Sequence, residues 1–141
     1  DSIVVNAVNK PILPVNIKTQ PYPGFPTDMQ AQFGALLSIA GGDGRIIENI
    51  YDKRFKYADE LSRMGANIEV SDKSALFHGV PRLCGANVRA TDLRAGGAVI
   101  IAALSAEGTT IIDDIHIIER GYVDIVGKLK ALGADIEYTE D

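Results

Sequence analysis

The sequence repeats its own plan, and this constrains the fold more than any other feature. Residues 15–79 and residues 86–138 both contain a short strand pattern, a threonine-aspartate pair, an apolar helix pattern, an isoleucine doublet, an arginine and a second helix pattern. Each second helix is followed by a similar segment, GANIE at residues 65–69 and GADIE at residues 133–137. So many ordered matches indicate a duplicated β-α-β-α-β-β unit and an α/β fold.

The limits of the repeat predict how the chain divides. Residues 1–14 are expected to be the end of a preceding repeat, with its last strand over residues 1–8. Residues 15–79 are expected to form a full repeat, and residues 80–141 a second repeat that stops before its own last strand. We therefore expect a part of one larger domain, with an open strand edge that favours association.

Local signals indicate where the helices and strands lie. Thr27 and Gln30 have the spacing of a capping box. Thr91 is a candidate N-cap for a helix over residues 92–105, and this helix is apolar almost all round. A helix of that kind is buried on most sides, so we expect central helices covered by sheets. Glycines suited to the left-handed C′ position follow three helices: Gly41, Gly65 and Gly133. Strands are predicted over residues 15–18, 46–51, 87–90 and 109–112.

Composition excludes several classes of function. The formal net charge is -5, whereas a nucleic-acid surface needs a clustered basic face. The sequence contains no apolar run near the ~18 residues of a membrane helix. Its single cysteine, Cys84, cannot form an internal disulfide, which favours a reducing, cytoplasmic location.

Asp28 is the first candidate for a chemical role. It follows three prolines and a glycine in residues 21–27, which stiffen the chain before the predicted helix. A carboxylate in the first helical turn is kept ionised by the helix dipole and can take a proton as a general base. Aspartate is also common at helix starts for stability alone, and composition by itself favours that alternative.

Asp92 and Arg94 occupy the corresponding helix start in the second unit. The free N–H groups of a helix N-terminus attract anions, and arginine adds a planar fork for phosphate or carboxylate. An arginine in the first turn opposes the helix dipole, and such a locally unfavourable residue indicates function. A surface Asp-Arg pair without function is the alternative, and the sequence does not decide between the two.

Arg120 and Arg54 both follow an isoleucine-rich strand and precede a helix. Ligands gather at strand-to-helix turns in α/β units, so both arginines are candidates for binding an anion. A solvated basic residue is the alternative for each, and it is favoured for Arg54.

Other reactive residue types carry weaker signals. Cys84 has no histidine near it in sequence, so a packed or edge-strand cysteine is favoured over a nucleophile. His78 and His116 have no metal-ligand spacing with any partner, and no metal site is predicted.

Four motifs together resemble the UDP-N-acetylglucosamine 1-carboxyvinyltransferase family. They are PGFPTDMQ at residues 23–30, ATDLRA at 90–95, AEGTT at 106–110 and RGY at 120–122. Their order and spacing are kept from residue 15 to residue 138. The resemblance implies an enolpyruvyl transferase fold, an inside-out α/β barrel of repeated units with helices central and sheets outside.

The resemblance also implies an activity and roles for single residues. The family moves the enolpyruvyl group of phosphoenolpyruvate to the 3′-hydroxyl of UDP-N-acetylglucosamine, without metal or organic cofactor, in the first committed step of peptidoglycan synthesis. Asp28 matches the aspartate that contacts the sugar hydroxyl, and Asp92 matches one implicated in proton transfer at the methylene carbon. The other matched residues bind substrate: Ile50 the UDP-sugar, Arg94 and Arg120 the phosphate and carboxylate of phosphoenolpyruvate, and Arg54 the same cleft in a less defined role.

Parts of the family's site have no counterpart in this sequence. The reactive cysteine of the family lies on a loop in the other half of the enzyme, together with a lysine, and Cys84 does not match it. We therefore expect the missing N-terminal half as a partner, and an inactive chain in isolation. The alternative is a stand-alone domain that binds a ligand or partner without catalysis.

Overall fold

A computed structural model describes residues 1–139 as an α/β fold. Its strands are β1 (Asn16–Lys18), β2 (Asp43–Ile47), β3 (Asn67–Ser71), β4 (Ser74–His78), β5 (Asn87–Arg89) and β6 (Ile111–Asp113). Its α-helices are α1 (Gln30–Leu37), α2 (Tyr57–Arg63), α3 (Leu93–Ser105), α4 (Ile115–Glu119) and α5 (Ile125–Ala131). A 3-10 turn over Thr27–Met29 leads into α1. The α/β prediction is confirmed, whereas the division into repeats and the inside-out barrel stay predictions.

The strands form two sheets. The larger has the order β1-β2-β4-β3, with β1 and β2 parallel and the other neighbours antiparallel. The smaller pairs β5 with β6 in parallel. Alternate side chains of the larger sheet face the core, and Ile46, Ala75 and Phe77 are completely buried. The period-two alternation of strands thus gives the sheet one apolar face and one polar face.

Helix α3 lies at the centre of the packing, against α1, α2 and α4. Its residues 95–100 are all buried, as its apolar composition predicts. Gly96 permits a close approach, because a Cβ there would lie 2.4 Å from Cγ1 of Ile118. Two adjacent glycines weaken a helix, and here close packing offsets that cost.

Several local predictions are wrong. Residues 1–8 form no strand and are exposed, and no strand forms over residues 134–139. The equivalent segment of the first unit, β3, pairs along its whole length with β4, and residues 134–139 have no such partner within the described chain. The strand predicted over residues 109–112 covers Ile111–Asp113, and a short helix begins at Ile115.

Helix termini also differ from prediction. Thr27 and Gln30 form no capping box, because both side chains donate to the carboxylate of Glu48. Positive φ occurs at Gly42 rather than at Gly41, while Gly65 and Gly133 have it as predicted. None of the helices in residues 1–139 has the length and apolar character that crossing a bilayer requires.

Candidate active site

Asp28 lies in the 3-10 turn before α1 and faces the first turn of α3. Nε of Arg94 donates to its Oδ1 at 2.5 Å, and Nη1 of Arg54 lies 3.6 Å from the same oxygen. Pro26 has an extended backbone immediately before the turn. Packing of α1 on α3 brings the two helix starts together. Residues 66 positions apart in sequence thus form one charged cluster.

The arginines set the ionisation of Asp28. The hydrogen bond from Arg94 holds the pKa of this carboxyl below its usual value, and the charges of Arg94 and Arg54 act in the same direction against the opposing effect of burial. Asp28 is therefore ionised near neutral pH. Both arginines contact Oδ1, and Oδ2 accepts no hydrogen bond from any residue of the described chain. One oxygen is therefore available to a ligand hydroxyl.

Asp92 is the N-cap of α3. Its Oδ1 accepts hydrogen bonds from the backbone N–H groups of Arg94 and Ala95, both at 2.9 Å. The cap predicted at Thr91 is therefore wrong by one residue. Capping by Asp92 satisfies two free donors and fixes the turn from which the Arg94 side chain extends.

Arg54 is held over an aromatic ring. Its guanidinium carbon lies 4.1 Å from the centre of the Tyr51 ring, a cation-π geometry. Only 21% of its side chain is exposed. The favoured interpretation of Arg54 as a solvated residue is wrong. Tyr51 also helps raise the pKa of Arg94, although the hydrogen bond to Asp28 is the largest cause.

These side chains meet at one depression between α1 and α3. Its lining consists of Thr27, Gln30, Ala31, Arg54, Tyr57, Asp92, Arg94 and Ala95. Two fixed arginines beside two carboxylates can bind an anion and hold a hydroxyl against an ionised acceptor. The depression thus places two cationic side chains beside an ionised proton acceptor.

Two predicted residues lie outside this cluster. Ile50 is half-buried just after β2, where its N–H donates to Oε1 of Glu48 at 2.9 Å. Arg120 is exposed at the end of α4 and makes no ion pair with any residue in 1–139. The structure therefore places Ile50 next to Tyr51 at the edge of the site and does not join Arg120 to Asp28.

Sequence reasoning missed Glu48. The predicted strand continued to residue 51, but β2 ends at Ile47, because Oε1 of Glu48 accepts the N–H groups of Ile50 and Tyr51 and turns the chain. A signal was present, since an acidic residue follows the isoleucine doublet in both units. Glutamate at the end of an apolar strand is seldom buried, and this one is 1% exposed.

The remaining candidates lie on other parts of the chain. Cys84 is exposed and forms an isolated bridge with Glu107, so the packed position is wrong and the edge position fits. His78 contacts Asp43 through Nδ1 at 2.9 Å and Glu69 through Nε2 at 3.1 Å. These hydrogen bonds raise the pKa of His78 above its usual value.

Comparison with known proteins identifies the family. A family model described as EPSP synthase (3-phosphoshikimate 1-carboxyvinyltransferase) matches residues 1–140. The chain belongs to this family. Among solved structures, the enolpyruvyl transferase NikO from Streptomyces tendae has a TM-score of 0.84 and 36% identity, covering 93% of this chain and 30% of that one. The enolpyruvyl transferase resemblance inferred from the four motifs is thereby confirmed.

Two curated relatives are more similar in sequence than this solved structure. UDP-N-acetylglucosamine 1-carboxyvinyltransferase 1 from Clostridium perfringens is 57% identical over 136 residues, or 96% of this chain and 32% of that protein. UDP-N-acetylglucosamine 1-carboxyvinyltransferase from Desulfofundulus thermocisternus is 58% identical over 126 residues, or 89% of this chain and 52% of that protein. The chain thus spans about a third to a half of the length of these relatives.

Proposed function

We propose that this chain is part of an enzyme that transfers the enolpyruvyl group from phosphoenolpyruvate to the 3′-hydroxyl of UDP-N-acetylglucosamine, releasing phosphate. The observation that carries the proposal is the Asp28–Arg94–Arg54 cluster. It occurs in a chain that is 57% identical to UDP-N-acetylglucosamine 1-carboxyvinyltransferase 1 from Clostridium perfringens. The reaction is the first committed step of peptidoglycan synthesis, and its substrates and the free thiol of Cys84 suit the cytoplasm.

Asp28 serves as the general base in this proposal. The sugar oxygen attacks C2 of the enolpyruvyl group, and its proton passes to Oδ2 of Asp28, the oxygen that neither arginine contacts. The low pKa makes Asp28 a weak base on its own. Displacement of Arg94 towards the anionic donor would remove the largest cause of the low pKa and strengthen the base when both substrates are bound.

Asp92 and the arginines serve the second substrate. Addition at C2 is matched by a proton that joins the methylene carbon to give a methyl group, and a proton leaves this methyl group as the C–O bond to phosphate breaks. Asp92 has one carboxylate oxygen in the α3 cap and the other available for that proton. Arg94 donates only its Nε within the described chain, so its terminal nitrogens can bind phosphate or carboxylate. In this proposal Arg120 also binds the phosphate or carboxylate of phosphoenolpyruvate in the ligand-bound enzyme.

The rest of the cleft comes from a partner segment. The chain covers 32% of the Clostridium perfringens relative, and neither the reactive cysteine loop nor the family lysine matches any part of this sequence. The partner is the N-terminal half of the same enzyme, and the chain alone is inactive. A stand-alone binding domain is less well supported, because it gives no reason for an ionised Asp28 beside two arginines.

The test is an assay of phosphate release by the full-length protein that contains this chain. Phosphoenolpyruvate is supplied with either UDP-N-acetylglucosamine or 3-phosphoshikimate as the acceptor, and the 141-residue chain is assayed in parallel. We expect release with the nucleotide sugar, none with 3-phosphoshikimate, and none from the isolated chain. Release with 3-phosphoshikimate alone, or turnover by the isolated chain, would refute the proposal.

A further inference from the structure

We propose that Glu48 is a positioning residue. Its buried carboxylate fixes the position of Asp28 relative to Arg54, because it accepts hydrogen bonds from both segments that carry these residues. This inference rests on the proposed function and names a residue that acts through others rather than on substrate. It explains why Glu48 is buried although no cation lies beside it within residues 1–139.

Five donors converge on the Glu48 carboxylate. They are Thr19 Oγ1 at 2.8 Å, Ile50 N at 2.9 Å and Tyr51 N at 3.2 Å on Oε1, and Thr27 Oγ1 at 2.8 Å and Gln30 Nε2 at 3.3 Å on Oε2. Every one of these donors is neutral. An acceptor-only carboxylate can satisfy all five, because its two oxygens offer about four lone-pair sites and tolerate shared bonds.

The donors decide the charge of Glu48. Burial raises its pKa, but the hydrogen bonds from the Ile50 N–H, Thr27, Thr19 and the Tyr51 N–H outweigh burial and hold the pKa below its usual value. The group is therefore ionised at neutral pH. A buried charge is retained only where hydrogen bonds replace its lost hydration, so the carboxylate and its five donors form one unit.

The donors belong to the segments that build the site. Thr27 directly precedes Asp28, so Oε2 fixes the turn that presents the candidate base. Tyr51 lies under the guanidinium of Arg54, so Oε1 fixes the surface on which that cation rests. The 3.6 Å separation between Arg54 and Asp28 is therefore set by two segments bonded to one carboxylate.

Thr19 joins a third segment to the same group. Its hydroxyl donates to Oε1 of Glu48 and accepts the N–H of Asn49 at 2.9 Å, which ties the end of β1 to the end of β2. Asn49 returns a bond from Nδ2 to the Thr19 carbonyl at 3.3 Å. Hydrogen bonds thus restrain the segments on both sides of Glu48.

A Glu48→Gln change keeps the size of the side chain and replaces one acceptor oxygen by an NH₂ donor. That donor would face donors, so at least one segment must move away. Displacements of about 1 Å at a reacting group can cost about 10²-fold in rate. We therefore expect kcat of the full-length enzyme to fall by about 10- to 100-fold.

The matched control is Glu60→Gln. Glu60 is also buried, at 6% exposed, and its Oε2 accepts the Arg89 N–H at 3.0 Å and lies 3.7 Å from Nε of Arg63, but it forms no hydrogen bond with the described segments around Glu48. The second test variant is Thr27→Val, which keeps the shape of the threonine and removes one donor while Glu48 stays charged. Thr27→Val can be measured even if Glu48→Gln does not fold. We expect kcat of Thr27→Val to fall about 10-fold.

The decisive measurement is a double-mutant cycle with Asp28→Asn in the full-length enzyme, with kcat, KM and melting temperature recorded for each variant. If Glu48 acts through Asp28, Glu48→Gln or Thr27→Val lowers kcat strongly in the wild-type background and by less than about threefold in Asp28→Asn, because effects within one unit do not add. Equal loss in both backgrounds, or a kcat loss no larger than that of Glu60→Gln, would overturn the proposal. Failure of the proposed function is distinguishable, since the wild-type enzyme would then show no transfer to UDP-N-acetylglucosamine.

Discussion

Replacing Asp28 by asparagine separates a base from a residue that only stabilises a helix start. The change keeps the size of the side chain and one acceptor oxygen but removes the ability to take a proton. If Asp28 is the base, kcat should fall by about 10²–10⁴, the usual contribution of a positioned acid or base. At about 1.4 kcal/mol per decade, this is a barrier increase of about 3–5 kcal/mol.

The structural alternative predicts a much smaller effect of a different kind. The Asp28 side chain is 65% exposed, so solvent screens its ion pairs with Arg94 and Arg54. Exposed ion pairs contribute about 0–1 kcal/mol, and their loss lowers stability rather than turnover. The melting temperature of a domain of this size would then fall by only a few degrees, on the order of 2–5 °C.

The assay measures turnover, nucleotide-sugar affinity and melting temperature on one preparation of full-length Asp28→Asn. We expect turnover to fall by at least about 10²-fold. Affinity should change far less, because asparagine can still contact the sugar hydroxyl. Near-normal turnover with a lowered melting temperature would refute the catalytic role and leave Asp28 as a helix-start residue.

Three further predictions concern stability and the second carboxylate. In Gly34→Ala, the new Cβ would lie 2.6 Å from the hydroxyl oxygen of buried Tyr57, so an overpacking cost of about 1–3 kcal/mol should exceed the ~1 kcal/mol gain in helix propensity in a denaturant titration. In Asp92→Asn, the α3 cap should survive because asparagine caps as well as aspartate, so a loss of turnover with an unchanged melting temperature is expected. In Glu48→Gln, the deficit in unfolding free energy should be largest near neutral pH. It should shrink as the pH falls below about 4.3, because a carboxylate with a lowered folded-state pKa stabilises the protein only while it is ionised.

Each of these has a control and a contrary result. The Gly34→Ala cost should decrease in a Tyr57→Leu background, which removes the hydroxyl oxygen and the ring carbon 2.7 Å from the new Cβ, and an equal cost in both would mean that the contact is not its cause. Asp92→Ala should lose about 1 kcal/mol of stability, and full turnover in Asp92→Asn would reduce Asp92 to a cap. A Glu48→Gln deficit that is constant from pH 7 to pH 3 would show that its charge does not matter.

Regular periodicity made the helices and sheets predictable, but not their ends. The apolar pattern of residues 92–105 gives α3 to within one residue, and Gly65 and Gly133 end their helices as expected. The end of β2 could not be read in the same way, since it depends on a carboxylate buried by tertiary contacts with Thr19 and Thr27. The acidic residue after the isoleucine doublet is a local signal, but it does not reveal hydrogen bonds to residues 21 and 29 positions away.

In the site, too, the sequence predicted where residues lie on their helices but not which residues they contact. The positions of Asp28, Asp92 and Arg94 at helix starts were predictable, because helix starts have recognisable residues and the four motifs fix their spacing. That Arg94 pairs with Asp28 was not, because the pairing depends on how α1 packs against α3. Arg54 was misjudged for a related reason, since a basic residue in a turn is usually solvated and this one lies on the Tyr51 ring.

The predicted duplication would account for two aspartates that lie close together and make different contacts. Each unit places an aspartate after a threonine at a helix start, and packing of α1 on α3 makes the two starts neighbours. In α3 the aspartate bonds to its own helix, so Asp92 caps it. Before α1 the threonine bonds to Glu48 and the turn makes no cap, so Asp28 faces Arg94 instead. Arg94 opposes its own helix dipole, and the two aspartates beside it offset that cost. Asp92 thus orders the start of α3 through Oδ1, and in both aspartates Oδ2 accepts no hydrogen bond from the described residues.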